Sequence, residues 1–371
     1  MKTYLRIFLI LVLALMIIGA VMVFSASGTY SAMRFNNLYV LFKSHLWKII
    51  AALALMVIFS IIPYEYYRKY SKYMLIVMIG LLIATFIFAP KVKGAARWID
   101  LGLFSFQPSE LAKLVLMMHL AYMIERKEEV LKNFKDGFAY TLIWIFAVSG
   151  LVLIQPNVST ALIIVMTAFT ILYIGGARAK HIVFTLFTTA VAAGIVMMMF
   201  THSRERILTF IGSFHNGGEI NMQVKQAKIA LGSGGFFGLG LGHSRQSDLF
   251  LPESYGDFIF SILGEELGFL GSVLVLSGFL ALFLIGIIIA KKAKDRFGQL
   301  LAFGLVFNII ISAFINAAVV TGIFPTTGIT LPFISFGGTS IILFGISVGI
   351  IINIARQVQK TEEVKPALEN A

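Results

Sequence analysis

Three ionisable side chains with the chemistry of a polar reaction site stand in otherwise apolar stretches of the sequence. Glu110 and Lys113 belong to "FSFQPSELAK" (104–113), and Asp257 lies in "LPESYGDFIFSILGEELG" (251–268), where a polar loop meets an apolar run. Glu110 and Lys113 are three residues apart, so on a helix they share one face and can form an ion pair. Carboxylates can accept protons in catalysis, and a lysine can stabilise developing negative charge.

The same residues also have structural interpretations, which the sequence leaves open. The Glu110–Lys113 pair could simply pin two helices, although ionisable groups inside membrane helices usually line a cavity or pathway. Asp257 could cap the following helix, because Asp is favoured there and meets the positive end of the helix dipole. Glu265 lies about 12 Å further along that helix. Glu265 and Glu266 are therefore predicted to contact neighbouring helices or to line an inner part of the same cavity.

The composition predicts an integral membrane protein. Of 371 residues, 58% are hydrophobic and 13% are charged, and the mean hydropathy is +0.91, which is too apolar for a soluble domain. The absence of cysteine excludes disulfides and thiolate chemistry, and the six histidines show no paired metal spacing. The net charge of +12 is spread over many short loops, which favours anionic lipids over nucleic acid as partners.

Apolar runs predict an all-α polytopic membrane protein with about ten transmembrane helices, in which 1–371 form a single domain. Within it, 201–257 is predicted to be one large extracytoplasmic loop and 356–371 a short cytoplasmic tail. The predicted spans are 5–25, 46–63, 73–89, 107–124, 138–154, 159–174, 181–200, 258–290, 299–320 and 338–355.

The distribution of Lys and Arg predicts that both termini are cytoplasmic, because positive residues concentrate in the loops on that side. The segment "KVKGAAR" (91–97) breaks the rule with three positive charges on the outside. It is either noise or a site for a negative ligand. The run "GSGGFFGLGLGHS" (232–244) lacks the Lys and Ser/Thr of a phosphate loop, so it predicts backbone turns, with the membrane as one surface they could lie against.

Five longer motifs together resemble the SEDS family, the shape, elongation, division and sporulation proteins of the bacterial cell wall. The resemblance covers nearly the whole chain in the family's order, and the wording of two motifs is closer to the division members than to the elongation members. The motifs are "KGAARWIDLGLFSFQPSELAK", "RERILTF", "ALGSGGFFGLGLGHSRQ", "LPESYGDFIFSILGEELGFLG" and "FPTTGITLPFISFGGTS".

The resemblance implies a ten-helix peptidoglycan glycosyltransferase in the bacterial cytoplasmic membrane. Such an enzyme polymerises the disaccharide-pentapeptide of lipid II into glycan strands at the outer face. It implies a monofunctional class B penicillin-binding transpeptidase and other division proteins as partners. The family's catalytic Asp corresponds to Asp257, and the Glu and Lys of its "QPSELAK" motif correspond to Glu110 and Lys113.

Further roles follow from the resemblance with less detail. A divalent cation such as Mg²⁺ or Mn²⁺ could assist the reaction. Asn157 stands where the family commonly has Asp, and Gly256 where it commonly has Thr. Candidates to bind the lipid pyrophosphate are Lys93, Arg97, Arg204 and Arg206. Residues whose role is either structural or in the cavity are Glu265, Glu266, Asn157, Gln223, Gln226 and Ser335.

The linkage chemistry suggests a mechanism. An α-linked sugar pyrophosphate that yields a β-linked strand requires inversion by one displacement, with Asp257 as the base on the acceptor hydroxyl and Glu110 holding Lys113 in place. Two alternatives are a lipid II flippase or transporter and a scaffold for a division transpeptidase. A flippase needs access from both faces, whereas the unusual polar groups concentrate on one, and a scaffold would not need Asp257.

Overall fold

The computed structural model describes residues 1–90, 96–100, 102, 105–199, 201–212, 221–247 and 250–369. Twelve α-helices and a two-stranded antiparallel hairpin occur in these ranges, with a 3₁₀ turn (Val130–Lys132) and a π turn (Phe134–Phe138) before α5. The elements are α1 (Lys2–Phe35), α2 (Val40–Ile61), α3 (Glu65–Phe88), β1 (Ile99–Asp100), β2 (Ser105–Phe106), α4 (Pro108–Lys127), α5 (Ala139–Ile154), α6 (Val158–Ile174), α7 (Ala179–Met199), α8 (Thr201–Gly212), α9 (Met222–Ser233), α10 (Ile259–Lys292), α11 (Arg296–Val320) and α12 (Ser340–Glu369).

The all-α polytopic fold is confirmed, and each of the ten predicted spans corresponds to a helix: α1 to α7 and α10 to α12. Seven helical segments in the described part are long and apolar enough to cross a membrane on their own. Helix α4 carries more polar residues, but most of it is buried inside the bundle, so those residues are shielded from lipid. Helix α6 (Val158–Ile174) and the segment Ala179–Ile195 of α7 are apolar but shorter than those seven segments.

Consecutive membrane helices run in opposite directions, which gives the bundle two ends. We call the end at which α4, α6 and α10 begin the site end, and the other the opposite end. At the opposite end Arg68 pairs with Glu125 (3.4 Å) and Asp295 (3.3 Å), and the amino group of Met1 pairs with Glu362 (3.3 Å). Each partly exposed pair is worth only ~0–1 kcal/mol, so these contacts mainly fix how the helix ends align.

Helix α10 consists of two helical segments, because its backbone breaks at Gly268 (φ 70°, ψ −168°). The backbone groups freed by the break bond to the glycine-rich turns that follow α9: Leu239 N–H donates to Glu265 O (2.9 Å) and Phe269 N–H to Gly235 O (2.9 Å). A Cβ at Gly268 would collide with the backbone of Gly238. The run 232–244 therefore does form turns, and they pack against the broken helix.

Two other predicted segments are more ordered than expected. The predicted loop 201–257 contains α8 and α9 in addition to the turns, and α9 packs on α10. The predicted tail 356–371 continues α12 as helix to Glu369. Among the described helices, α11 and α12 are the most deeply buried spans, and they form the centre against which the site is built.

Candidate active site

Asp257 lies one residue before the start of α10. The N-cap position of that helix is Phe258, and the helix begins at Ile259, so Asp257 does not occupy the capping position that the structural interpretation requires. The side chain is partly buried. A Cβ built on Gly328 (φ 74°) would lie 3.3 Å from Asp257 Oδ2, so this carboxylate packs directly against the Gly328 backbone.

Three successive carbonyl groups hold the Asp257 turn in place. Each accepts a hydrogen bond from a different part of the buried centre, and any of them left unpaired there would be costly. The bonds are from Phe336 N–H to Tyr255 O (2.9 Å), from Ser335 Oγ to Gly256 O (2.8 Å) and from Asn316 Nδ2 to Asp257 O (2.7 Å). Ser335 is thus a structural support of the turn.

Glu110 and Lys113 form the predicted ion pair on α4, with Lys113 Nζ 2.9 Å from Glu110 Oε2. Their side chains are only 13% and 6% exposed, so the pair is buried and removal of one partner would leave the other charge uncompensated. Pro108 occupies the first turn of α4, which places Glu110 close to the positive end of the helix dipole.

Two small cavities flank Lys113. One of about 10 Å³ is also lined by Glu110, Asn308 and Ser340, and a second of about the same volume is lined by Thr167. Each has room for about one water molecule. The Oδ1 atom of Asn308 and the Oγ1 atom of Thr167 are buried without a hydrogen-bond partner in the described structure, so both cavities present a polar group.

The segment 328–340 connects the ion pair to the Asp257 turn. Thr330 Oγ1 donates to Ser340 Oγ (3.2 Å), and Ser340 lines the cavity of the ion pair. At its other end the segment contacts Asp257 through Gly328. The segment 328–340 therefore contacts both the Asp257 turn and the cavity of the Glu110–Lys113 pair.

The first turns of α4 and α6 lie side by side at this region, joined by Asn157. Its side chain accepts from Thr160 N–H (3.4 Å) as the N-cap of α6, and its Nδ2 donates to Ser109 Oγ (3.3 Å) on α4. Asn157 thus has a structural role as cap and bridge. Two helix N-termini at one place favour a negative ligand.

The two candidate cations whose side chains are described, Arg97 and Arg204, belong to other elements than the Asp257 turn. Arg97 donates to the backbone carbonyls of Gln155 (3.1 Å) and Pro156, so it supports the turn that precedes Asn157. Arg204 is exposed on α8, which packs mainly on α7. Lys93 and the side chain of Arg206 lie outside the described residues.

Glu265 and Glu266 are fully buried and bind neighbouring elements, as one of the two interpretations predicted. The carboxylate of Glu265 accepts from the hydroxyls of Ser233 (3.2 Å) and Ser244 (2.5 Å) and from the backbone N–H groups of Arg245 (3.1 Å) and Gln246 (3.3 Å). It thereby holds the glycine-rich turns against α10.

The remaining candidates have local contacts. Glu266 accepts from Ser25 Oγ on α1 (2.5 Å). Gln223 and Gln226 are partly buried on α9, and their described hydrogen bonds stay within α9 and its cap. Among the described residues no group of three or more His, Cys, Asp or Glu side chains could hold a metal ion, so a divalent cation stays a prediction.

Two asparagines on α11 were not identified from the sequence. Asn308 faces the ion-pair cavity, and Asn316 donates to Asp257 O and to Ile329 O, both at 2.7 Å. They are eight residues apart, so they lie on nearly the same face about 12 Å from each other. Their presence in an apolar span was the available signal, because buried polar residues in membrane helices usually have a function.

Comparison with known proteins gives consistent results. The family model for FtsW, RodA and SpoVE, described as cell cycle protein, matches residues 5–360. The probable peptidoglycan glycosyltransferase FtsW of Geobacter metallireducens is 36% identical over 97% of this chain and 96% of its own length. Stage V sporulation protein E of Bacillus subtilis is 36% identical over 94% and 95%. A chain of a peptidoglycan synthase complex that coordinates polymerization and crosslinking shares the fold, with a TM-score of 0.78, 23% identity and coverage of 95% and 97%.

The two hydrogen bonds that Asn316 donates to Asp257 O and Ile329 O, which we call the clamp, predict an effect on stability. Asn316→Leu keeps nearly the same shape but leaves two buried carbonyl oxygens without donors, at ~1–3 kcal/mol each. We expect a clear decrease in the thermal unfolding temperature of the purified protein. Ser312→Ala, on the same buried face of α11, loses only a bond to its own helix at Asn308 O and should unfold close to wild type. Equal unfolding temperatures for both variants would contradict the clamp.

Proposed function

This chain belongs to the FtsW/RodA/SpoVE family, the SEDS proteins, and on that premise we propose that it polymerises lipid II into β-linked glycan strands during cell division. The enzyme class agrees with relatives named probable peptidoglycan glycosyltransferases over nearly their whole length. The observation that carries the proposal is the placement of Asp257. Its partly buried carboxylate stands on a turn fixed by hydrogen bonds, and the segment 328–340 contacts both this turn and the cavity of the Glu110–Lys113 pair.

Asp257 is the general base in this mechanism. Lipid II presents an α-linked sugar on a pyrophosphate, and a β-linked product requires inversion in one displacement. The acceptor hydroxyl oxygen forms a bond to the anomeric carbon, the bond to pyrophosphate breaks, and that electron pair leaves with the pyrophosphate. The hydroxyl proton passes to the Asp257 carboxylate, whose backbone is fixed at three carbonyl groups.

The departing pyrophosphate needs positive charge. Lys113 supplies it, with Glu110 holding its position, and the first turns of α4 and α6 add two positive dipole ends. Lys93, Arg204 and Arg206 are proposed to assist in binding the pyrophosphate, whereas Arg97 acts through the turn it supports. A divalent cation would neutralise phosphate charge, held mainly by the substrate with at most one carboxylate from this site.

The site end is proposed to face the outside, with both termini in the bacterial cytoplasm. The positive-inside rule supports this, because the opposite end holds most of the Lys and Arg residues of the short loops. A class B penicillin-binding transpeptidase is the proposed partner. Its support is the shared fold with a chain from a complex that couples polymerization to crosslinking.

Orientation can be measured directly because the chain has no cysteine. Lys225→Cys places an exposed thiol on α9 at the site end, and Glu129→Cys places one at the opposite end. In intact cells an impermeant maleimide should label the first variant and spare the second, and lysed cells should label both. Labelling of Glu129→Cys alone would reverse the orientation and put the site on the cytoplasmic side.

The function is tested by Asp257→Asn with purified protein, its transpeptidase partner and labelled lipid II. Asn keeps the shape of the side chain but removes the base, so polymerisation should fall by about two or more orders of magnitude. Asp136→Asn makes the same change at an exposed position of the opposite end and should stay active. Near-normal activity of Asp257→Asn would leave the transfer without an identified base, whereas absence of polymerisation by the wild type would favour the scaffold interpretation.

The Glu110–Lys113 pair is tested by a double-mutant cycle. Each single change to Ala should reduce polymerisation severely, because it buries an uncompensated charge and disturbs the leaving-group site. The double variant should remain as inactive as Lys113→Ala, although its thermal stability should recover. Recovery of activity along with stability would make the pair an architectural element only.

A further inference from the structure

Helix α2 carries two basic side chains on one face, His45 and Lys48. His45 is completely buried, and neither of its ring nitrogens has a hydrogen-bond partner among the described residues. Its ring lies 5.9 Å from that of Phe336, centroid to centroid. Buried imidazole nitrogens without partners are unusual in native proteins, so this position requires a ligand or another polar group to complete it.

Lys48 lies one turn further along the same face. It is about 12 Å from the start of α2 along the axis, immediately before an apolar run that reaches Phe59. A lysine at such a position usually extends along the lipid towards the headgroups. Here its ammonium lies instead 3.8 Å from the centroid of the Phe336 ring, within the protein. None of the ion pairs among the described residues includes Lys48.

Phe336 links these two residues to the Asp257 turn. Its backbone N–H donates to Tyr255 O (2.9 Å), and its ring meets that of Tyr255 at a centroid distance of 5.6 Å. The basic pair therefore borders the turn from α2, whereas Glu110 and Lys113 approach the site from α4. Glu110 offsets the charge of Lys113, whereas Lys48 is a cation on this side with no ion-pair partner in the described structure.

Polymerisation of lipid-linked sugars requires two such lipids at one site, a donor and an acceptor, and each carries a pyrophosphate. The region at the start of α4 and α6 can serve one of them. A second anionic group needs its own donors, and an ammonium with an imidazole N–H is suitable for phosphate oxygens. Lys48 itself is only partly buried, and the neighbouring Trp47 is 71% exposed, so this level of α2 is open to a headgroup from outside the bundle.

We propose that His45 and Lys48, with the Phe336 ring behind them, bind the pyrophosphate headgroup of the second lipid-linked substrate. The identity of this lipid rests on the proposed function, whereas the anion site itself rests on the contacts of α2. Two other interpretations differ in what they predict. Lys48 could serve only to pin Phe336, or the site could take any phosphate-bearing lipid of the membrane.

The test uses full-length protein in phosphatidylcholine nanodiscs and measures binding of undecaprenyl pyrophosphate and of phosphatidylglycerol. Lys48→Met keeps an unbranched side chain that packs on Phe336 but removes the charge, so it should weaken undecaprenyl pyrophosphate binding by about tenfold or more. Lys48→Arg should retain binding. Lys43→Met, at an exposed position on the same helix, is the matched control and should bind as the wild type.

The outcomes separate the interpretations. Wild-type binding by Lys48→Met would overturn the proposal and leave Lys48 as a pin for Phe336. An equal loss for phosphatidylglycerol would overturn the assignment to the pyrophosphate lipid. In polymerisation assays Lys48→Met should raise KM for lipid II more than it lowers kcat. Asp257→Asn should bind undecaprenyl pyrophosphate normally, because it keeps the anion site. Binding that depends on Lys48 in a wild-type protein that shows no polymerase activity would support this site while contradicting the proposed function.

Discussion

Backbone groups buried in an apolar bundle must find hydrogen-bond partners within the protein, because lipid offers none. The site end contains long irregular segments of backbone. Its stability depends on the hydrogen bonds that these segments form with one another. The break of α10 at Gly268 bonds to the turns after α9, and Glu265 accepts four further donors from them. The Asp257 turn is satisfied by Asn316, Ser335 and Phe336. Loss of one partner therefore affects several segments at once.

The buried charges of the site also have partners within the protein. Lys113 is buried with Glu110 beside it, so the pair adds an oriented cation without net charge, and the cost of burying it is offset by its partner. Asp257 is less buried, which would suit its proposed role as a proton acceptor. The N-terminus of α6 adds partial positive charge with no acidic residue in its first turn, whereas Glu110 lies in the first turn of α4. The described part of the site therefore combines a paired cation with helix dipoles.

The sequence predicted the features that depend on long patterns. Each of the ten predicted apolar spans corresponds to a helix of the structure. The family resemblance and the enzyme class agree with the relatives. The ion pair of Glu110 and Lys113 followed from helical spacing. The break at Gly268 was missed because "GEELGFLG" continues the apolar run, and a single glycine does not reveal that another segment will supply its hydrogen bonds. The hydrogen bonds from Arg97 to the carbonyls of Gln155 and Pro156 were not predicted, because no local pattern encodes partners far away in sequence. The roles of Asp257 and of the candidate cations in the reaction stay predictions.

Helix α11 explains how these parts keep a fixed geometry. In its most apolar stretch 72% of the residues are buried. It contacts both parts of the site, with Asn308 at the cavity of the ion pair and Asn316 at the Asp257 turn. Two turns of one helix fix the axial separation of these contacts at about 12 Å. Loops alone would let the Asp257 turn and the Glu110–Lys113 pair move relative to each other. The proposed displacement reaction would be sensitive to errors of about 1 Å in their positions. Because one buried helix carries both contacts, the positions of the ion-pair cavity and the Asp257 turn are set by the core of the bundle and not by the loops that surround the site.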